Sequence, residues 1–241
     1  MRSAILTWHS LDDSGSVIST PPSVFRRQIE SLADSGIPVV PLNRVRNTPG
    51  SVALTFDDGF QNLAQHAFPL LDRFGWPATV FVVSQYCGRS NQWPSQPATV
   101  IPALSLLSWD QLKALPPRIE IGAHTATHPH LTALSAQDCD RELRECRDDI
   151  EHRLGCPAES LAYPYGDSSE NVRLTTSRYF QFAVSTSLRF LSQDSDPLDL
   201  PRLDMCYFRS GFSLGGLFNP TARMYLGLRG MVREARARLP V

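Results

Sequence analysis

The sequence predicts an α/β fold in which a parallel sheet or barrel alternates with helices. Short apolar runs alternate with helix-like segments along the chain, which is typical of repeated β-α units. A length of 241 residues with 42% apolar content is sufficient for one domain of α/β-barrel size. Polar residues with catalytic chemistry directly follow several apolar runs, and parallel α/β barrels carry their active sites at that end of the strands.

The individual elements follow from apolar runs, capping residues and turn residues. Strands are predicted at residues 4–9, 38–40, 52–57, 78–83, 119–124, 160–163 and 182–185, with a further candidate at 198–203. Helices are predicted at residues 23–35, 62–74, 109–115, 136–154 and 169–177. The helix at 136–154 is the most clearly delimited, because Ser135 can cap its first turn and Gly155 follows its last. A long loop is predicted at residues 88–108, and such loops in barrels are often functional.

The chain is predicted to contain one α/β domain, residues 1–211, followed by a basic amphipathic tail, residues 212–241. A net charge of −1 gives no global field that would attract nucleic acid. We expect the tail to pack on its own domain or on a second subunit, and contact with an anionic membrane surface is the alternative. The tail's apolar residues at helical spacing and its arginines are Met224, Leu228, Met231, Val232, Arg223, Arg229, Arg233, Arg236 and Arg238.

The cysteines and the N-terminal residues favour the cytoplasm. Five cysteines without a Cys-x-x-Cys pair argue against a disulfide framework. Cys139 and Cys146 are separated by about 10 Å on a helix, which is beyond disulfide reach. The first apolar run is too short for a signal peptide, and no stretch has the length of a membrane span. We therefore expect a cytoplasmic protein, with the cell envelope as the alternative if an export signal has been removed.

Two pairs of polar residues predict a metal site. Asp57 and Asp58 end a buried strand and precede Gly59, and carboxylates are costly to bury unless a metal or a charged partner holds them. His124 and His128 are four residues apart, so they can share one face and bind one ion. One carboxylate with two imidazoles leaves a coordination position open, as in catalytic metal sites. Each pair alone would be interpreted as surface residues; together they predict metal-assisted hydrolysis.

Three further residues have both a functional and a structural interpretation. His9 ends the first predicted strand, where a histidine is about as often a structural hydrogen bonder as a catalyst. Trp93 lies in the polar loop and could stack on a sugar ring, although most such aromatic residues belong to the core. His130 is interpreted as a loop residue at the rim that could contact substrate.

Several motifs together carry a family resemblance. Residues 55–59 read Thr-Phe-Asp-Asp-Gly, and residues 124–128 read His-Thr-Ala-Thr-His followed by Pro129. Residues 162–166 read Ala-Tyr-Pro-Tyr-Gly, a partial third motif. With these motifs the chain, over roughly residues 3–205, resembles the polysaccharide deacetylase family, the NodB-homology domains of carbohydrate esterase family 4. The early Trp-His pair, residues 8–9, and Leu-Pro-Arg, residues 200–202, are similar to its exopolysaccharide-deacetylase branch.

The resemblance implies a distorted (β/α)7-8 barrel of the NodB-homology type with one divalent metal. The implied ligands are Asp58, His124 and His128. Zinc is the expected ion, and Co²⁺, Ni²⁺ or Fe²⁺ suit the same ligands. The implied substrate is an N-acetylated oligo- or polysaccharide, from which the enzyme removes acetyl groups.

The resemblance also implies catalytic and substrate-binding roles. Asp57 would act as the general base on the attacking water, and the backbone N–H of Tyr165 would stabilise the oxyanion. Tyr163 and Pro164 of the third motif, together with Trp93 of the loop, are the predicted substrate-binding residues.

Two departures from the family pattern require substitutes. The usual arginine of the third motif is Ala162 here, and we hypothesise that Arg202 pairs with Asp57 instead; a structural ion pair with Asp204 is the alternative. The late Leu-x-His motif that supplies the general acid has no match, since no histidine follows His152. His9 is the first candidate for that acid.

The predicted function is metal-dependent hydrolysis of N-acetyl groups on an amino-sugar polysaccharide or glycan intermediate. One alternative is a hydrolase of another small amide or acylated sugar on the same fold. Another is a catalytically weak carbohydrate-binding scaffold, which the missing arginine and the missing late histidine favour. Retention of both acids and both histidines argues against the scaffold.

Overall fold

A parallel sheet curls around the centre of the molecule in the computed structural model. The structure describes residues 2–96, 101–209, 214–222, 224–226 and 229–230. The strands are β1 (Ala4–Trp8), β2 (Val52–Phe56), β3 (Ala78–Val82), β4 (Ile119–Ala123), β5 (Ser160–Ala162), β6 (Phe182–Val184) and β7 (Leu203–Asp204). The spatial order is β6-β5-β4-β3-β2-β1-β7, and every neighbouring pair is parallel.

The segment that leads into β7 connects the two edges of the sheet. Leu200 forms a parallel bridge with Val184 of β6, and Leu203 pairs with Leu6 of β1. The predicted strand at residues 198–203 therefore belongs partly to each edge. The prediction of a distorted (β/α) barrel is confirmed.

Helices and short turns connect the strands on the outside. The helices are α1 (Pro22–Asp34), α2 (Leu42–Val45), α3 (Leu63–His66), α4 (Phe68–Phe74), α5 (Trp109–Lys113), α6 (Ala136–Leu154) and α7 (Glu170–Thr176). The ends of α6 are as predicted: the Ser135 side chain accepts from the Asp138 N–H, and Gly155 adopts a left-handed conformation. Among the described residues, no helix combines the length and the apolar character needed to cross a membrane.

Two predicted elements differ from the structure because of prolines. The helix predicted at residues 62–74 is divided into α3 and α4 around Ala67, because Pro69 has no N–H to donate back to the preceding turn. The strand predicted at residues 38–40 is reduced to one bridge between Val39 and Val52, because prolines stand at positions 38 and 41.

The alternation of side chains along the strands separates two apolar clusters. Outward-facing residues such as Leu6 and Leu54 join the large cluster under the helices, whereas Ile5 and Ala53 join a smaller inner cluster. Phe81 crosses this interior so closely to Gly122 that a Cβ on Gly122 would lie 2.5 Å from its ring. His9 and Asp57 lie two positions beyond Thr7 of β1 and Thr55 of β2. The same alternation therefore places them together at one end of the barrel.

Only part of the predicted tail, residues 212–241, lies in the described portion of the chain. Within that portion Leu214, Leu217 and Leu226 are buried in the large cluster. The Arg229 guanidinium lies 5.4 Å and 5.2 Å from the ring centroids of Tyr207 and Tyr225. Met224 is 66% exposed. The other tail residues named in the sequence analysis lie outside the described residues, so contact of the tail with a membrane stays a prediction.

Candidate active site

Three predicted metal ligands converge at the C-terminal ends of β2 and β4. Asp58 follows β2, and His124 and His128 lie in the loop after β4. Asp58 Oδ1 lies 3.4 Å from His124 Nε2 and 3.6 Å from His128 Nε2, and all three side chains are buried. Of the described residues, they form the one group of three or more His, Cys, Asp or Glu side chains placed to hold an ion.

This donor set fits a divalent metal. Two ligand atoms that each lie about 2.0–2.1 Å from a tetrahedral zinc ion are about 3.4 Å apart, close to the spacing seen here. Asp58 Oδ1 is buried and makes no hydrogen bond among the described residues, which is costly unless a cation binds it. One carboxylate and two imidazoles suit zinc, cobalt, nickel or iron.

The electrostatics of the two histidines agree with a site for positive charge. Burial, with the neighbouring charge of His124, lowers the pKa of His128 to about 3, so its imidazole is neutral. Burial would also lower the pKa of His124, but the neighbouring Asp58 and Asp57 carboxylates outweigh burial and the net direction is upward. The carboxylate therefore favours a cation at this point.

A backbone carbonyl orients the first histidine. His124 Nδ1 lies 2.7 Å from the carbonyl oxygen of Ala162, at the end of β5. Donation from Nδ1–H to this carbonyl leaves the Nε2 lone pair facing Asp58, the tautomer that a metal ligand requires. Ala162, which replaces the family's arginine, thus contributes through its backbone.

Backbone strain is concentrated in this site. The four non-glycine residues with positive φ among the described residues are Asp58 (67°), Thr125 (66°), His128 (61°) and Tyr165 (60°). Two of them are predicted metal ligands, and Tyr165 is the predicted oxyanion residue. Left-handed conformations of such residues cost about 1–3 kcal/mol each and persist where the surroundings fix them.

A carboxylate on α6 fixes the histidine loop. Glu142 accepts from the Thr127 backbone N–H at 2.8 Å and from Thr127 Oγ1 at 2.7 Å. The His128 N–H donates to Thr125 Oγ1 at 2.9 Å. These bonds hold the loop between the two histidines in its left-handed turns.

The hypothesised partner of Asp57 is in place. Arg202 donates from Nη1 to Asp57 Oδ1 at 2.6 Å and from Nη2 to Asp57 Oδ2 at 2.7 Å, and both residues are 2% exposed or less. Burial alone would raise the pKa of the Asp57 carboxyl, but the Arg202 guanidinium outweighs burial and holds the pKa well below its usual range. The alternative pairing with Asp204 is not seen, since the Asp204 carboxylate accepts from the Cys206 N–H.

Four barrel elements support Arg202. Its Nη1 also contacts Thr7 Oγ1 at 3.0 Å and Thr55 Oγ1 at 3.4 Å, and its Nε donates to the Ser185 carbonyl at 3.0 Å. The Phe81 ring centroid lies 5.8 Å from the guanidinium carbon. Sequence reasoning missed the two threonines, although strand alternation places Thr7 on the face of His9 and Thr55 on the face of Asp57.

His9 and Tyr165 also lie at the site. His9 Nε2 is 3.6 Å from Asp57 Oδ2 and is partly exposed. The Tyr165 ring meets the His128 ring edge to face at a centroid distance of 4.8 Å. No backbone carbonyl in the described part of the chain accepts from the Tyr165 N–H, so this donor is available.

The predicted substrate contacts are placed differently from the expectation. Trp93 is 4% exposed and stacks on His128 at a centroid distance of 4.3 Å, so it supports a predicted metal ligand and presents no open face to a sugar. Tyr163 is 1% exposed and donates to the Leu198 carbonyl at 2.8 Å. Pro164 is also buried. These three residues were predicted to bind substrate, and their burial leaves them little surface with which to contact it.

Sequence reasoning did not identify Ser95, which joins the loop at residues 88–108 to the site. Ser95 Oγ donates to the His128 carbonyl at 2.5 Å and lies 2.9 Å from the Tyr165 hydroxyl, which donates to it. A serine in a polar loop carries no sequence signal that distinguishes it from its neighbours.

A parallel (β/α) barrel with a buried carboxylate, two imidazoles and an adjacent second carboxylate at the C-terminal ends of its strands is typical of metal-dependent hydrolases. The family model for polysaccharide deacetylase matches residues 44–180, more than half of the chain. The chain therefore belongs to the polysaccharide deacetylase family.

Individual relatives agree with this assignment. The Bacillus subtilis protein YxkH, provisionally named a polysaccharide deacetylase, is 24% identical over 221 residues, which cover 88% of this chain and 74% of YxkH. The chitooligosaccharide deacetylase of Sinorhizobium fredii is 31% identical over 156 residues, which cover 63% of this chain and 60% of that protein. The structure of the Streptococcus pyogenes deacetylase PplD in complex with acetate has the same fold, with a TM-score of 0.72 at 20% identity over 85% of this chain and 92% of PplD.

Proposed function

We propose that this protein hydrolyses N-acetyl groups of an amino-sugar polysaccharide or of its oligosaccharides, with one divalent metal, zinc being the first candidate. The observation that carries the proposal is the buried Asp57–Arg202 pair directly beside the Asp58, His124 and His128 donor set. The relatives support the substrate class, since one of them is a chitooligosaccharide deacetylase. The cytoplasmic location stays a prediction.

The roles of the site residues follow from their positions. A divalent metal held by Asp58, His124 and His128 would polarise a carbonyl and acidify water. Asp57 takes a proton from the attacking water through a carboxylate oxygen. Arg202 holds both carboxylate oxygens of Asp57 and keeps the group ionised, so that it can accept this proton.

Two further groups complete the reaction. The free backbone N–H of Tyr165 donates to the oxyanion that forms from the acetamide carbonyl. His9, partly exposed beside Asp57, gives a proton to the leaving nitrogen as the C–N bond breaks. Acetate and a free amine on the sugar result.

The structure weakens one rival and leaves the other to experiment. The binding-scaffold alternative depended partly on the missing arginine, and Arg202 supplies a guanidinium in that role. The small-amide alternative gains from the burial of Trp93, because Trp93 offers no open aromatic face to a polymer.

Acetate release tests the proposal directly. The zinc-loaded protein should release acetate from N-acetylglucosamine oligomers, and the rate should rise with chain length if a polymer is the natural substrate. The Asp57→Asn variant, which keeps the size of the side chain, should retain zinc and lose at least ~10²-fold in kcat, as expected for loss of a general base. If oligomers of every length stay intact while a small N-acetylated amide is cleaved, the small-amide alternative replaces the proposal.

The His9→Ala variant tests the proton donor. We expect a fall in kcat of about 10²-fold with unchanged zinc content, because loss of a general acid typically costs 10²–10⁴-fold. The exposed His152 on α6 offers the matched control, and His152→Ala should behave as wild type. Wild-type activity of His9→Ala would exclude His9 as the acid.

A further inference from the structure

One pair of side chains at the rim of the site has no role in the reaction proposed above. His130 Nδ1 lies 2.5 Å from Asp167 Oδ2. His130 follows the histidine motif and Asp167 follows the third motif, so the pair connects the two loops. The side chains are 48% and 35% exposed, so the pair lies at the surface beside the site.

The pair is built against Tyr165. The His130 ring lies flat on the Tyr165 ring, with centroids 3.9 Å apart and planes inclined by 13°. The edge-to-face contact with His128 and the hydrogen bond from the Tyr165 hydroxyl to Ser95 enclose the same ring from other directions. The phenol is therefore held by residues from two loops, the one after β4 and the one at residues 88–108.

The backbone of Tyr165 needs this enclosure. Tyr165 has φ 60° and ψ 0°, and Gly166 follows with φ 76°. A Cβ on Gly166 would lie 2.0 Å from Thr186 Oγ1, so the turn also has little room to move. A tyrosine in a left-handed conformation tends to relax to a right-handed one unless its side chain is held. Such relaxation would turn its free N–H away.

We infer that His130 and Asp167 form a positioning clamp for Tyr165. Asp167 fixes the His130 ring, the ring holds the Tyr165 side chain, and the side chain keeps the left-handed turn that orients the Tyr165 N–H. The inference rests on the proposed function, in which this N–H donates to the oxyanion. Neither clamp residue touches the reacting atoms, so both act through Tyr165.

Three variants separate the parts of the clamp. His130→Ala removes the ring and should lower kcat about tenfold, with KM within twofold of wild type and zinc content unchanged. His130→Phe keeps a ring that can stack, and kcat should stay within about threefold of wild type. Asp167→Ala removes the hydrogen-bond partner of the His130 ring, and its kcat should lie between those of the two His130 variants. His152→Ala is again the matched histidine control.

Hydrogen exchange gives a readout that does not depend on activity. The N–H groups of Gly166 and Asp167 donate to the carbonyls of Tyr163 and Pro164 at 2.9 Å and 3.1 Å, so their exchange reports the turn. In zinc-loaded protein, His130→Ala should exchange faster at these two amides, and His130→Phe should resemble wild type. Failure of the wild type to release acetate would contradict the proposed function, whereas unchanged exchange in His130→Ala would contradict the clamp.

Other outcomes also decide against the clamp. A raised KM with retained kcat in both His130 variants would mean that the pair contacts the sugar. Loss of zinc from His130→Ala would mean that the pair supports His128 instead of Tyr165. Wild-type kcat in His130→Ala would show that the stack does not position the turn.

Discussion

The His124→Ala variant is expected to lose its metal and at least ~10³-fold in kcat. Asp58 and His128 alone would offer two ligands, fewer than the three protein ligands typical of catalytic zinc sites. A metal that polarises a carbonyl supplies several kcal/mol of transition-state stabilisation, and each ~1.4 kcal/mol corresponds to a factor of ten in rate. Elemental analysis of both proteins, purified side by side, should give one equivalent in the wild type and none in the variant.

Thermal unfolding with and without zinc provides an independent measurement. An ion that binds only the folded state stabilises it, by about 2.7 kcal/mol at a free concentration of 100 times Kd. Zinc should therefore raise the Tm of the wild type and of His152→Ala, but not that of His124→Ala. A wild type that stays metal-free and shows no shift with any of zinc, cobalt, nickel or iron would contradict the hydrolase proposal and favour the binding scaffold.

The sequence was most informative where the signal is local. The ends of α6 follow from Ser135 and Gly155, which act within one turn of the helix. Pro69 was a local signal too, and its missing N–H explains why α3 and α4 are separate. The acids and histidines of the first two motifs were predictable because Asp57 and His124 directly follow buried strands, and Asp58 and His128 lie close behind them.

Long-range contacts were accessible only in part. The resemblance showed that an arginine was missing, and Arg202 could be hypothesised as its substitute because it lies near the end of a candidate strand. The Thr7 and Thr55 contacts depend on how residues 200–204 insert between β6 and β1, which no local pattern specifies. The stack of Trp93 on His128 depends in the same way on where a long loop folds back.

Substitution of Arg202 is expected to separate orientation of Asp57 from binding of the metal. Arg202→Lys keeps a positive charge but loses the two parallel hydrogen bonds, because an ammonium is not a planar fork. We expect kcat to fall about 10- to 100-fold with one equivalent of zinc retained. Arg147 forms a similar two-bond pair with Glu151 at the surface, and Arg147→Lys should leave kcat unchanged.

Arg202→Met is expected to show how much the fold depends on the pair. Removing one partner of a buried ion pair typically costs about 3–5 kcal/mol, because the remaining charge is left uncompensated. The Asp57→Asn/Arg202→Met double variant removes both charges, so much of the lost free energy of unfolding should return while activity does not. Thr7 and Thr55 can then bond elsewhere, since hydroxyls donate and accept.

The comparison of the two Arg202 variants decides what the arginine does. If Arg202→Lys turns over at the wild-type rate, the two-bond geometry does not orient Asp57, and the guanidinium serves only the closure of the barrel between β6 and β1. If the double variant is no more stable than Arg202→Met, the contacts to Thr7, Thr55 and the Ser185 carbonyl outweigh the ion pair. A slow Arg202→Lys enzyme with full zinc, together with a recovered double variant, would establish one residue that both stabilises the barrel and orients its base.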